Sequence, residues 1–427
     1  MDMNKCKIAV IGLGYVGLPL SSLLAIKYNV IGFDVDKLKI RGLLENKLPV
    51  DEPDLEYYLE KSISSNHLII TNEAYKIKEA NIKIITVGTP YNNNEMKIDT
   101  EQLISALNIV LPYLNNGDVI ILKSTVPPGT TNGLVKTIIE NGGFAVPENI
   151  GLVFAPERMI EGQAIKDFKT LPKIIGATDE RSYRIASEVL SSLGGKLIKV
   201  SNPETAEMIK MVDNYSRYVF LALTNEIALI SERVGVDVLE LIEAAKDNYP
   251  RNSGLLLPGP GVGGSCLNKD PFILKTEMNK SNLQLKMVNC SEEINNYMPL
   301  HVAELVKKYL LPGSMITILG VAFKGDTNDT RFTPCYTIEN NLSGSGYNIR
   351  LSDPFVKGEK IISNPYNAVR KSDTIVLLTD HSLYKNLDLY KIKGLMNNKP
   401  IIIDCRGLID RQKAESVGFE YHGVGRL

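Results

Sequence analysis

The sequence predicts an α/β protein in which two lobes built on doubly wound parallel sheets flank a helical middle. Three observations carry this. Short β-rich apolar runs alternate with helical patterns over the first 200 residues, helical periodicity alone fills 203 to about 310, and the alternation returns from 314. Strands spaced by helical stretches imply right-handed βαβ units.

In chain order, strands are expected at 7–12, 29–34, 82–88, 118–125 and 150–156. A final pair, 172–177 and 196–201 with a helix between them, completes the lobe near residue 200. Ser201 or Asn202 followed by Pro203 and Glu204 is a helix-start signal. Residues 203–246 then read as a long helix and a shorter one, broken at 234–237. A Gly/Pro loop covers 254–265, and helical text runs from about 269 to 310. Strand-like runs at 314–323, 348–354, 374–380 and 400–407 make the last lobe. The segments are therefore 1–200, 201–310 and 311–427, with a cleft between lobes as the expected ligand site.

Composition narrows the class. The 427 residues amount to roughly three domains' worth of chain, ample for large cores without disulfide or metal staples. Lys plus Arg number 48 against 49 Asp plus Glu, a balance that argues against a nucleic-acid binder. Cys6, Cys266, Cys290, Cys335 and Cys405 are scattered without a C-x-x-C pair, which fits reduced thiols and a cytoplasmic protein. The four histidines have no metal-ligand spacing, so no metal site is expected. Residues 8–26 carry no charge and could span a bilayer on length alone. Gly12, Gly14, Gly17 and Pro19 within that run have a better explanation, and no membrane association is expected.

That explanation is the turn Gly12-Leu13-Gly14-Tyr15-Val16-Gly17, a G-x-G-x-x-G between a strand and a helix, with a second strand ending at Asp34. The first two glycines permit a tight turn and close approach of a pyrophosphate, and the third lets helix and strand pack. The helix N-terminus offers free N–H groups to the phosphates. Asp34 is placed for ribose hydroxyls, and its charge disfavours a 2′-phosphate, so NAD is expected over NADP.

Other motifs carry two readings each. In PGPGVGGSCLNKDP (258–271), Cys266 next to a helix start and Lys269 is either a partly ionised thiol or a buried structural cysteine. Lys210 and Asn214 share a helix face, but Glu207 one turn earlier makes a surface ion pair with Lys210 the favoured reading on spacing alone. Ser124–Gly129 and Ala155–Arg158 end two strands, at the edge where such sheets bind ligands. They are otherwise an ordinary turn and a solvated Glu157–Arg158 charge pair.

The chain resembles the UDP-glucose/GDP-mannose dehydrogenase family over essentially its whole length. The resemblance is carried in family order by IGLGYVGLP, VGTP (87–90), KSTVPPGT (123–130), APERMIEGQA (155–164), Lys210/Asn214, GPGVGGSCLNKDP, GVAFKGDTNDTR (320–331), SDP (352–354) and DCRG (404–407). It implies an N-terminal Rossmann domain, a central helical dimerisation domain and a C-terminal Rossmann-like domain for the UDP-sugar. The implied reaction is a four-electron oxidation of a sugar C6 hydroxyl with two NAD.

The resemblance also implies roles. Cys266 is the nucleophile of a thiohemiacetal and thioester, Lys210 and Asn214 stabilise oxyanions, and Asp270 with Thr125 and Glu157 handles the water. Gly12, Gly14, Tyr15, Val16, Gly17, Asp34, Lys39, Thr89, Thr125 and Arg331 fall to the cofactor. Glu157, Arg158, Lys210, Asn214, Gly263, Lys324 and Arg406 fall to the substrate, and Arg251 resembles the arginine that members lend to a neighbouring subunit, so a homodimer or higher homo-oligomer is expected. Glu157-Arg158-Met159 and Thr379-Asp380-His381 depart from the UDP-glucose pattern and look like the UDP-N-acetyl-hexosamine branch, with UDP-N-acetyl-D-mannosamine the first-choice substrate. UDP-N-acetylgalactosamine, UDP-N-acetylglucosamine and UDP-glucose follow, because Gly264-Ser265-Cys266 replaces that branch's common Gly-His-Cys. A two-electron hydroxyacid-type dehydrogenase and a non-enzymatic dinucleotide binder are the remaining classes, and the 320–331 motif speaks against the former.

Overall fold

The computed structural model describes residues 6–50, 52–92 and 97–426. The chain divides between Val212 and Asp213 into two compact units. In the first, the strands are β1 (Lys7–Ile11), β2 (Asn29–Phe33), β3 (Leu68–Thr71), β4 (Ile82–Ile85), β5 (Tyr91–Asn92), β6 (Lys97–Ile98), β7 (Val119–Leu122), β8 (Gly151–Phe154), β9 (Lys173–Ala177) and β10 (Leu197–Val200). Among the described residues eight of these form one sheet in the order β10-β9-β8-β7-β4-β1-β2-β3, and β5–β6 is a separate ribbon. β1 lies between β2 and β4, so the order reverses at its carboxyl end, the switch point at which such sheets bind ligands. Two apolar clusters, one around Ile8, Val10 and Leu20 and one around Ile11, Leu107 and Leu152, account for the Val/Ile-rich strands.

Two expectations are corrected here. β3 was not expected, since its apolar text is three residues following Ser64-Ser65-Asn66. The sheet is also not wholly parallel, because β9 runs antiparallel to β8. With Phe154 opposite Gly176, Lys173 at the start of β9 lies beyond the end of β8, so the connection 155–172 begins and ends at the ligand edge. That connection is held there by its own acceptors, as described below.

The second unit holds β11 (Met315–Leu319), β12 (Asn348–Ser352), β13 (Ile361–Ile362), β14 (Thr374–Leu377), β15 (Ile401–Asp404) and β16 (Glu420–Gly423). They form a parallel sheet in the order β13-β12-β11-β14-β15-β16. β13 and β16 were not expected, the one being two residues long and the other, Glu-Tyr-His-Gly, polar.

The two units repeat one piece of turn chemistry. Gly12 (φ +97°) donates to Phe33 O at 2.8 Å and Leu13 N to Asp34 Oδ2 at 2.8 Å. Gly320 (φ +105°) donates to Ser352 O at 2.8 Å and Val321 N to Asp353 Oδ2 at 2.8 Å. The acid ending the second strand thus pins the turn after the first strand in both, and both turns need a glycine for their positive φ.

The long helix Pro203–Val234 begins in the first unit and continues into the second. Asn202 Oδ1 accepts from Thr205 N at 2.9 Å and Pro203 opens the first turn, as the start signal predicts. At 1.5 Å per residue it is about 48 Å long. Residues 207, 211, 214, 218, 222 and 225 recur at helical spacing and fall on one stripe. Glu207, Met211, Tyr218, Ala222 and Asn225 of these are buried.

Candidate active site

In the first unit the fingerprint turn borders a cleft of about 530 Å³, lined by Gly12, Gly14, Asp34, Lys39, Thr86 and Ser105 among others. A Cβ on Gly17 would lie 1.8 Å from Gly12 O, so helix and turn meet there without room for a side chain. A Cβ on Gly14 would meet nothing within 4 Å, which leaves that backbone open toward the cleft. Asp34 Oδ1 accepts from Asp36 N at 2.9 Å, and Oδ2 pairs with Lys39 Nζ at 2.6 Å besides holding Leu13 N. A carboxylate has about four lone-pair sites, so capacity remains for ribose hydroxyls. Open backbone at Gly14, a helix N-terminus at Gly17 and an acid at the second strand's end fit NAD. We expect Gly14→Ala to keep the thermal midpoint of the parent yet bind NAD at least about tenfold more weakly, since its methyl occupies ligand space. Gly17→Ala is expected to lose both; titration calorimetry and thermal unfolding distinguish the two.

The strand-end loops of this unit are tied to one another. Thr89 Oγ1 donates to Thr125 O at 2.6 Å and Ser124 Oγ to Val87 O at 2.7 Å. Glu157 does not pair with Arg158 in solvent as the bland reading had it. Its Oε2 lies 3.2 Å from Lys123 Nζ, which is buried, and its Oε1 accepts from Arg158 N and Met159 N at 2.9 and 3.0 Å. Glu52, also buried, accepts from Gly162 N at 2.7 Å and Ala164 N at 3.0 Å, and Asp167 Oδ2 accepts from Ile160 N at 2.9 Å. Three carboxylates therefore fix 157–164 at the ligand edge. Lys123 and Glu52 were not singled out from sequence, because their partners lie 34 and about 110 residues away.

The expected surface ion pair of Glu207 with Lys210 is corrected. Glu207 is fully buried and accepts from Gly129 N (2.6 Å), Thr131 N (2.8 Å) and Thr131 Oγ1 (2.6 Å). Burial pushes its carboxyl pKa upward against the pull of those three donors. It bolts the loop after β7, and so Thr125, to the helix that carries Lys210.

In the second unit Asn214 Nδ2 donates to Asp270 Oδ2 at 2.5 Å. Asp270 is buried, and among the described residues its Oδ1 accepts no hydrogen bond, although Lys269 Nζ stands 3.8 Å away. A buried carboxylate oxygen with that spare capacity is placed to take a proton donor such as water. Cys266 is exposed, so the buried structural reading is set aside. The helix, however, begins at Asp270 and not at the cysteine. Cys266 sits in the preceding turn, its carbonyl accepting from Asp270 N at 2.9 Å. Gly264 (φ +85°) donates to Arg331 O at 2.9 Å, and Gly263 and Gly264 face Phe323.

The basic residues expected at the nucleotide are fixed in different ways. Arg406 Nε donates to Leu378 O at 2.7 Å, and burial lowers its pKa from the usual arginine value. Arg331 forks onto Asp329, with Nε at 2.9 Å from Oδ1 and Nη2 at 2.5 Å from Oδ2. Lys324 opens a turn held by Gly325 N to Asp380 Oδ1 (2.9 Å) and Asp326 N to His381 Nδ1 (2.9 Å). Arg251 stands on the exposed turn Pro250–Asn252, over the Tyr249 ring at 6.0 Å. Among the described residues no group of three or more His, Cys, Asp or Glu is placed to hold a metal ion, and no helix is long and apolar enough to cross a membrane.

His381 is wholly buried. Because Nδ1 accepts a backbone N–H, Nε2 carries the proton it donates to Asp353 Oδ2 at 3.0 Å. Burial pushes Asp353 up, but His381 and the N–H groups of Ala322, Val356 and Phe355 outweigh it and hold its pKa at about 2. A carboxyl below its unfolded value of about 3.9 stabilises the fold above that pH and loses the contribution as pH falls through about 2. This amounts to roughly 2 kcal/mol. We expect the thermal midpoint of the second unit to fall between pH 4 and pH 2. Asp353→Asn should be less stable at pH 7 and lack that part of the acid dependence.

Comparison with known proteins converges on one family. Residues 6–193 match the NAD-binding domain of the UDP-glucose/GDP-mannose dehydrogenase family, 204–297 its central domain and 317–411 its UDP-binding domain. A UDP-N-acetyl-D-mannosamine dehydrogenase of Methanocaldococcus jannaschii is 35% identical over 98% of this chain and 96% of its own length. The solved structure of a UDP-D-ManNAc dehydrogenase from Pyrococcus horikoshii superposes with a TM-score of 0.89 at 33% identity, covering 98% of this chain and 99% of that one. An NDP-N-acetyl-D-galactosaminuronic acid dehydrogenase from Methanosarcina mazei Go1 gives a TM-score of 0.86 at 30% identity, covering 99% and 95%. With three domain matches in order and relatives above 30% identity over nearly the full length, the chain belongs to the UDP-glucose/GDP-mannose dehydrogenase family and is an NAD-dependent nucleotide-sugar dehydrogenase.

Proposed function

We propose that this enzyme oxidises the C6 hydroxyl of UDP-N-acetyl-D-mannosamine to the uronate. The balance is RCH2OH + 2 NAD⁺ + H2O → RCOO⁻ + 2 NADH + 3 H⁺. The observation that carries the chemistry is the buried Asp270, clasped by Asn214 with one oxygen left to accept, in the segment that presents an exposed Cys266. The substrate choice rests on the mannosamine-named relatives together with Glu157-Arg158-Met159 and Thr379-Asp380-His381.

NAD, when bound at the Gly12–Gly17 turn, supplies the hydride acceptor for both oxidations. After the first, the Cys266 thiolate adds to the C6 aldehyde to give a thiohemiacetal, whose loss of a second hydride leaves a thioester. Lys210 and Asn214 stabilise the negative oxygen at each stage. Asp270 takes a proton from the attacking water, with Thr125 and Glu157 assigned to its placement, and the thioester C–S bond breaks to return the thiolate. In this reading residues 1–200 bind NAD, 201–310 form a helical dimerisation domain to which Arg251 belongs, and 311–427 bind the UDP-sugar through Lys324 and Arg406. Arg158 and Gly263 also fall on the substrate side, and Tyr15, Val16, Thr89 and Arg331 on the cofactor side.

The Methanosarcina mazei relative favours one second reading, UDP-N-acetylgalactosamine. NADH release from a panel of UDP-sugars and GDP-mannose, with Cys266→Ser as control, decides between them. UDP-N-acetyl-D-mannosamine is expected to give the highest kcat/KM, and a higher value for another sugar replaces it.

A further inference from the structure

We propose that Asn225 and Asn295 are positioning residues for the Cys266 thiol, acting as a buried amide relay that fixes the glycine loop 258–266 to two helices. The proposal rests on the reading of Cys266 as the nucleophile.

Asn225 lies on the long helix Pro203–Val234 and Asn295 on the helix Lys286–Tyr309, and they are 1% and 3% exposed. An amide buried that far is costly unless its groups are paired, and these pairs form a chain. Gly259 N donates to Asn225 Oδ1 at 3.0 Å, Asn225 Nδ2 to Asn295 Oδ1 at 3.1 Å, and Asn295 Nδ2 to Tyr218 O at 3.3 Å. A backbone N–H can only donate, so the atom facing Gly259 must be Oδ1. That turns Nδ2 toward Asn295 and fixes Oδ1 there in turn, which leaves no freedom to flip either amide.

The loop is shaped to this relay. Pro299 has no N–H, so the carbonyl of Asn295 lacks its ordinary helical donor, and Gly261 packs against the opening. A Cβ on Gly261 would stand 3.0 Å from Pro299 Cγ and 3.4 Å from Asn295 O, and its φ is +127°. Farther along, Asn268 Nδ2 donates to Gly264 O at 2.9 Å and Gly264 N to Arg331 O at 2.9 Å. The segment ends at Asp270, held by Asn214, and Phe272 packs edge-on against Tyr218 at 5.7 Å between centroids. Asn214, Tyr218 and Asn225 occupy one stripe of the long helix, so a single helix face holds both ends of the segment 259–270. Cys266 stands between those anchors and is itself exposed.

Substitution of either asparagine therefore displaces the sulfur, and neither asparagine is itself among the residues assigned to substrate or cofactor. The test compares Asn225→Ala, Asn225→Ser and Asn295→Ala with the parent enzyme and Cys266→Ser. Thermal unfolding checks the fold, and the serine variant serves where alanine does not fold. Steady-state kinetics and iodoacetamide alkylation followed by peptide mapping are the readouts, and the exposed Cys290 provides an internal reference. A misplacement of about 1 Å can cost about 100-fold in turnover. The relay accordingly predicts kcat lowered by about that factor with KM for NAD within about threefold. It also predicts an altered alkylation rate at Cys266 and an unaltered one at Cys290. Folded variants with parental kcat, or with lowered kcat but a parental Cys266 alkylation rate, overturn it. Undiminished turnover by Cys266→Ser overturns the nucleophile reading and the relay's purpose with it, a result distinguishable from failure of the relay alone.

Discussion

Cys266→Ser is expected to abolish uronate formation, lowering kcat by at least about 10⁴-fold, as loss of a covalent nucleophile does. A serine hydroxyl is a far weaker nucleophile than a thiolate at neutral pH. Binding of NAD and of the UDP-sugar should stay within about threefold of the parent, because the side chain is exposed and its backbone, not its sulfur, holds the turn to Asp270. Equilibrium binding and product analysis check both halves of this expectation. Undiminished acid production by the variant removes Cys266 from the mechanism.

Lys210→Met is expected to lower kcat by about 10²- to 10³-fold, the range found when one oxyanion-stabilising donor is removed. The competing reading, a surface ion pair, predicts no effect on turnover and under about 1 kcal/mol in stability. The structure weakens that reading, since both oxygens of Glu207 go to Gly129 and Thr131. Asn214→Ala should act differently, since its amide is already committed to Asp270. It is expected to disturb the carboxylate as well as the oxyanion, and kcat against pH for the two variants would show the difference.

The sequence made the lobes legible because their strands are continuous Val/Ile runs, and it made the cofactor turn legible because three glycines and Asp34 each answer a separate steric or polar need. Polar or very short strands such as β16 and β13 lack that signal. The antiparallel β9 escaped for another reason: its text is the same whichever way it pairs, and only Lys173 beside the end of β8 reveals the direction.

Site residues divide along the same line. Helical spacing correctly put Lys210 and Asn214 on one face, but spacing states which groups can meet, not which do. Glu207 can reach Lys210 and instead caps a loop about 76 residues away. Asn225, Lys123 and Glu52 read as ordinary polar residues until the fold brings Gly259, Glu157 and Gly162 to them. Cys266 drew two opposed readings because exposure, the property that separates a reactive thiol from a structural one, is not written in a single sequence.

In the proposed reaction one active site carries a sugar alcohol through two oxidations. Counting NADH formed per UDP-sugar consumed, under conditions that drive the substrate to completion, tests it most directly. Two NADH and a carboxylate product are expected, whereas a yield of one NADH with an aldehyde or ketone would leave only a single oxidation.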